Sequence, residues 1–289
     1  MAFTVLQDGI RVRPAGHGPN ALLITLLTDR GCGEGHRGST VRCMGGRLRL
    51  VGVALVAALF PSFVAACDPP PNDRLPDLGM ARLADISLER TPDGRRLLRF
   101  TTVFVNIGTG PFEVHGSRPA DSPTMAVDQR VFDDAGGSRD IETTASMYFS
   151  GDGHNHWHVR DFESYELVRR DNGNRVGTGA KHGFCFFDNV AFRLSLPSAP
   201  QSPVYRGCGA AADTSVTFGV SVGWGDRYGA SIVDQYIDVT GLAQGAYRLT
   251  ATADAGDWFL EADNSNNATW VDLRFGRNKL DVEGFGPSA

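Results

Sequence analysis

Residues 247–253 read Tyr-Arg-Leu-Thr-Ala-Thr-Ala, apolar and polar side chains in strict alternation. A period of two marks a strand with one face buried and the other wet. Strand-like runs lie to either side of it at Leu97–Val105, Phe112–Val114, Trp157–Leu167, Ala191–Leu196, Thr214–Val222, Gln235–Val239 and Thr269–Phe275. Turn signals separate them: Gly108-Thr109-Gly110, Asp133–Gly137 and Asp171-Asn172-Gly173. No helical period persists beyond a turn or two, and 35 glycines with 15 prolines suit a turn-rich β protein. The expected fold is all-β, a single antiparallel β-sandwich-like domain with long loops and little helix.

The chain has 289 residues, 42% apolar and 21% charged, enough for a sizeable core and too apolar for a disordered chain. Its net charge of −5 argues against a nucleic-acid partner, which would want a basic face. The only long apolar run, Leu50 to Phe60, follows Arg47 and Arg49 and precedes small residues. That is the layout of a secretory signal, and it falls short of the ~20 residues of a spanning helix. It ends in Val64-Ala65-Ala66-Cys67, which resembles a bacterial lipobox, with Cys67 the lipidated residue; plain cleavage after Ala66 is the alternative. The implied layout is an over-extended start over 1–43, a signal over 44–66, a proline-rich tether over 67–74, the domain over 75–277 and a mobile tail over 278–289. The protein is then exported, as a cell-envelope lipoprotein or a secreted protein, and touches membrane only through that lipid.

Residues 67–289 carry 21 basic and 30 acidic side chains, a net −9 that suits cationic ligands. With Cys67 lipidated, Cys185 and Cys208 remain, and in an exported chain a lone pair reads as a disulfide. Its 22-residue loop would contribute ~3 kcal/mol in the loop-entropy account.

Candidate chemistry concentrates in two places. Three of the seven histidines, His154, His156 and His158, fall at i, i+2 and i+4. Imidazole is a common metal ligand, and nitrogen-rich sites suit copper, zinc, nickel or iron. A flat strand would spread the outer two by ~13 Å, so the backbone must bend here, and Gly151 and Gly153 permit it. The second place is residues 179–188, GAKHGFCFFD, with Lys181. Only two of 28 basic residues are lysine, and a lysine amine, unlike arginine, can serve as a nucleophile.

HNHWHVRDFESYEL at 154–167, KHGFCFFD at 181–188, GVSVGWGDRYGASIVDQYIDVTGLAQGAYRLTATAD at 219–254 and FLEADNSNNATWVDLRF at 259–275 together resemble the copper amine oxidases called lysyl oxidases. The resemblance implies copper on His154, His156 and His158. It implies that Lys181 and Tyr228 cross-link into lysine tyrosylquinone, a self-derived cofactor. It implies oxidation of primary amines, peptidyl lysine or small amines, to aldehydes by molecular oxygen, with release of hydrogen peroxide and ammonia. Asp226 is the candidate base, with turn capping as its alternative, and His182 beside Lys181 is a candidate for tuning the site.

The chain departs from the animal pattern of this family at Gly153, Trp224 and Asp234, where cysteines stand in animal members. Two other readings stay open: an envelope copper-binding β-sandwich that never builds the quinone, and a metal-dependent hydrolase or oxygenase with Asp152 or Asp161 as a further ligand. Glu261, Asp263 and Asn266 read as an Asp/Asn-rich turn in preference to a calcium site.

Overall fold

The computed structural model describes residues 72–150 and 154–289. The signal-like run, the lipobox and Cys67, together with Gly151, Asp152 and Gly153, lie outside the described residues. Among the described residues there are eighteen strands and no helix. In chain order the first are β1 Asp73–Arg74, β2 Leu78–Met80, β3 Ala84–Arg90, β4 Arg96–Asn106, β5 Phe112–Ser117 and β6 Thr124–Asp133. Next come β7 Ser138–Phe149, β8 Trp157–Arg160, β9 Glu163–Arg169, β10 Arg175–Thr178, β11 Gly183–Phe184 and β12 Val190–Ala191. The last are β13 Ser215–Val220, β14 Trp224–Tyr228, β15 Tyr236–Asp238, β16 Gly245–Ala253, β17 Ala268–Phe275 and β18 Leu280–Phe285.

All pairings are antiparallel, as an all-β architecture of this kind requires, and the strands divide among three sheets. One runs β11-β8-β7-β6-β5-β13, with β1 on β6; the second runs β10-β9-β16-β17-β18. The third is organised on β4, which pairs with β14 and β15 and also with β2 and β3. β16, whose alternation announced the fold, lies between β9 and β17 with Tyr247, Leu249, Ala251 and Ala253 buried.

The core is aromatic. Phe162 packs against Phe104 at 4.9 Å, Phe186 at 4.8 Å and Phe112 at 5.6 Å between ring centroids. Phe162 follows a break: Asp161 adopts a left-handed φ of 53° and ends β8, and β9 starts at Glu163 in another sheet. The run read as one strand, Trp157–Leu167, is therefore two, and the break carries the chain between sheets. An aspartate tolerates that backbone where bulkier residues do not.

Other expectations shift. β6 and β7 were not among the sequence runs, yet they form a long hairpin, closed by Asp133–Gly137 as the turn signal implied. Buried Gln129 interrupts the apolar count on β6; its side chain pairs with both backbone groups of Leu260. Of Ala191–Leu196 only Ala191 is in a strand. Residues 278–289, read as a mobile tail, hold β18, paired along β17, and Ala289 N–H donates to Met80 C=O.

Phe162→Ala empties the centre of the aromatic cluster. It is expected to cost about 3–5 kcal/mol in a urea unfolding experiment on the metal-free chain. A loss below about 1 kcal/mol would show that the cluster does not hold the sheets together.

Candidate active site

The histidines converge because the chain turns between them. His154 and His156 precede β8 and only His158 lies on it. Asn155 takes a left-handed φ of 55°, a conformation that asparagine accepts readily. The bend is thus seen at Asn155, whereas Gly151 and Gly153 lie outside the described residues. One ligand atom from each histidine lies within 4.8 Å of the others. Metal–nitrogen bonds of ~2.0–2.1 Å put neighbouring donors ~3–4 Å apart, so three imidazoles closing by a small movement fit a copper or zinc ion. Gly183 on β11 makes room: a Cβ there would collide with the His158 ring and the Tyr148 hydroxyl. Trp157 turns to the packed side, buried, with its indole N–H on Ala210 C=O at 2.9 Å.

A cleft of about 180 Å³ joins the histidines to Lys181, Asp226 and Tyr228. Lys181 is buried with only 2% of its side chain exposed, and its Nζ sits 5.2 Å from the centre of the Tyr228 ring and 5.3 Å from that of Phe184. Its charge is met by Asp234, whose two carboxylate oxygens are each 3.5 Å from Nζ. Tyr228 donates its hydroxyl to Cys185 C=O at 3.0 Å. Cys185 is disulfide-bonded to Cys208, so the sequence pairing is present and anchors the segment beside the tyrosine.

Asp226 and Tyr228 share one side of β14, and Arg227 between them points outward to Asp85 at 3.0 Å. Asp226 is 1% exposed. Asn189 donates its side-chain amide to one carboxylate oxygen, and the Tyr228 hydroxyl lies close enough to influence the group. Burial pushes this carboxyl up to about 7, against the pull of the Tyr228 hydroxyl first and then of Asn189 and the Lys181 charge. Burial, with the Asp226 and Glu163 charges, raises the Tyr228 phenol well above its usual value.

His182 points the other way: it is exposed and its Nδ1 lies 2.6 Å from Asp161. Asp161 is thereby engaged outside the histidine cluster. Glu261 accepts from Leu78 N–H and the Asn267 amide, Asp263 from Ser265, and Asn266 donates to Asp77, the pattern of a bonded turn.

Glu163 was missed. It is 2% exposed, accepts the Tyr165 hydroxyl at 2.8 Å, and burial pushes its carboxyl up to about 8. A signal existed: Glu163 is in phase with Tyr165 and Leu167 on the buried face of β9, where a carboxylate is out of place.

Residues 138–284 match the lysyl oxidase family model, a stretch that begins with β7 and contains the histidines, Lys181 and Tyr228. Similar proteins include protein-lysine 6-oxidase of Homo sapiens, 32% identical over 123 residues, which are 42% of this chain and 27% of that protein. Protein-lysine 6-oxidase of Gallus gallus is also 32% identical, over 42% of this chain and 26% of its own length. Lysyl oxidase homolog 1 of Homo sapiens is 31% identical, over 42% and 19%. The match thus spans about a quarter or less of these relatives. With a family model covering half of its residues, this chain belongs to the lysyl oxidase family.

Proposed function

We propose that the protein is an exported, copper-dependent amine oxidase that converts primary amines, peptidyl lysine or small amines, to aldehydes with release of hydrogen peroxide and ammonia. The observation that carries this reading is Lys181 Nζ held 5.2 Å from the Tyr228 ring centre in the cleft that the three histidines also line. The similar proteins named protein-lysine 6-oxidase support it. His154, His156 and His158 would hold copper, and Lys181 and Tyr228 would form lysine tyrosylquinone; together these supply the electron sink and the reaction with molecular oxygen that ordinary side chains lack.

The remaining work falls to the chain's own residues. Burial around Tyr228 and Lys181 keeps bulk water from the reacting centre. The Cys185 carbonyl fixes the phenol, and Asp234 and the two rings fix the amine. Asp226 offers an acceptor oxygen near neutral pH, where a general base works best, so it is the group assigned to take the substrate's α-proton. The disulfide supports export, because such bonds persist in oxidising compartments. A lipid anchor at Cys67 remains part of this proposal.

The test is phenylhydrazine, which traps quinone carbonyls, added to copper-loaded protein. Wild type is expected to give a visible chromophore that Lys181→Arg lacks. A wild type with bound copper and no chromophore would instead favour a copper-binding module. Tyr228→Phe should retain copper and lose turnover; oxidation at the wild-type rate would refute the quinone assignment. Asp226→Asn should lower kcat/KM about 10²-fold or more. In the wild type kcat/KM should rise with pH through about 7, because the base acts only when ionised. A flat profile would remove Asp226 from that role.

A further inference from the structure

The bend that gathers the histidines lies just before β8, and Trp157 is the first residue of that strand. It pairs across from Phe149 on β7 and is 1% exposed. Side chains alternate along a strand, so fixing Trp157 on the packed side fixes the backbone from which its neighbours His156 and His158 reach the cleft. Trp157 is tied to one loop. Its backbone N–H donates to Cys208 C=O at 3.0 Å, and its indole N–H to Ala210 C=O at 2.9 Å. Arg118, which follows β5, holds that loop. Its guanidinium donates to Ala211 C=O at 3.0 Å and Asp213 C=O at 2.9 Å. It also donates to Ser122 C=O at 2.6 Å and Ala120 C=O at 3.2 Å. The same guanidinium lies over the Trp157 ring, 4.9 Å from its centre, where a cation is attracted to the indole face. Two stretches of chain and the tryptophan thus close on one arginine. The planar fork of five N–H donors suits that task, and a lysine ammonium with three donors does not. Arg118 does not itself line the histidine cleft.

We propose that Arg118 is a positioning residue for the metal site: it clamps Trp157 and the 208–213 loop so that His156 and His158 are held ready for the ion. The proposal rests on the reading of the three histidines as metal ligands. Its effect passes through Trp157, which stands between two of those ligands in the chain. Groups that orient metal ligands from behind are worth ~10–100-fold in metal affinity. Loss of the clamp therefore shows first in how tightly and in what geometry the ion is held, before the fold itself gives way.

The experiment measures the copper(II) affinity of the metal-free full chain by competition with a chelator, and the EPR spectrum of the copper-loaded protein. Wild type is expected to bind one copper(II) per chain; a wild type that binds none would remove the metal reading and this proposal with it. Arg118→Lys should weaken binding roughly tenfold or more and change the copper hyperfine splitting, with an unchanged near-ultraviolet circular dichroism spectrum. Trp157→Phe keeps a ring, removes the indole N–H and should also weaken binding. The double variant should lose no more than the larger single loss, because both changes break one clamp. Arg248→Lys is the control. It alters a like contact, an arginine 3.6 Å from the Trp270 ring centre on β16 and β17, and neither residue lines the histidine cleft. Its copper Kd should stay at the wild-type value. If Arg118→Lys does not fold, Trp157→Phe decides the matter. With wild type binding copper, the proposal alone is overturned by a wild-type Kd in folded Arg118→Lys or in Trp157→Phe, by additive losses in the double variant, or by equal weakening in Arg248→Lys.

Discussion

The site depends on one costly arrangement, an ammonium group almost fully removed from water. A buried lysine is tolerated only where something replaces its hydration. Around Lys181 that replacement comes from Asp234 on one side and from the rings of Phe184 and Tyr228 on the other. Each lies on a different part of the fold. Phe184 is on β11, Tyr228 on β14, and Asp234 in the loop between β14 and β15. The lysine position is therefore an outcome of two sheets meeting, and nothing local to residues 179–188 could set it alone.

β4 is the element that makes the meeting possible. It pairs with β14 through Thr102 to Val105 and with β15 through Leu97 to Arg99, so it fixes both the strand bearing Tyr228 and the strand following Asp234. Its Phe104 enters the aromatic cluster beside Phe162 and Phe186, which ties the β9 and β11 region to the same core. Thr102 also meets the Tyr165 hydroxyl, which in turn bonds Glu163. Packing and polar contacts thus converge on the same few side chains.

What was legible in the chain followed from local rules. Alternation in β16 and β17, the Asp133–Gly137 turn and the lone cysteine pair each need only neighbouring residues or a count to be read. So did the clustering of histidines, and the need for a bend, because strand geometry forbids one ion from reaching three side chains along a flat run. What was hidden is non-local. Gln129 looks like a surface residue until Leu260 arrives to bond it, so β6 and β7 passed unnoticed. β18 looks like a tail until β17 offers an edge. Asp226 and His182 show both outcomes of period-two reasoning. Asp226 shares the side of Tyr228, whereas His182 alternates away from Lys181 and ends on Asp161.

Two positions that the sequence reading set apart from the animal pattern have clear roles in this fold. Trp224, one of them, is buried and donates its indole N–H to Pro200 C=O at 2.8 Å, a bulky packed anchor. Asp234, another of those positions, directs its carboxylate at Lys181. Asp226 and Glu163, the other carboxylates near the lysine, are raised by burial to about 7 and about 8 and so are poor counter-ions at neutral pH. Asp234 is only partly buried, so the ion pair keeps one foot in solvent. Of the three carboxylates near Lys181, Asp234 alone keeps part of its side chain in solvent, whereas Asp226 and Glu163 are buried.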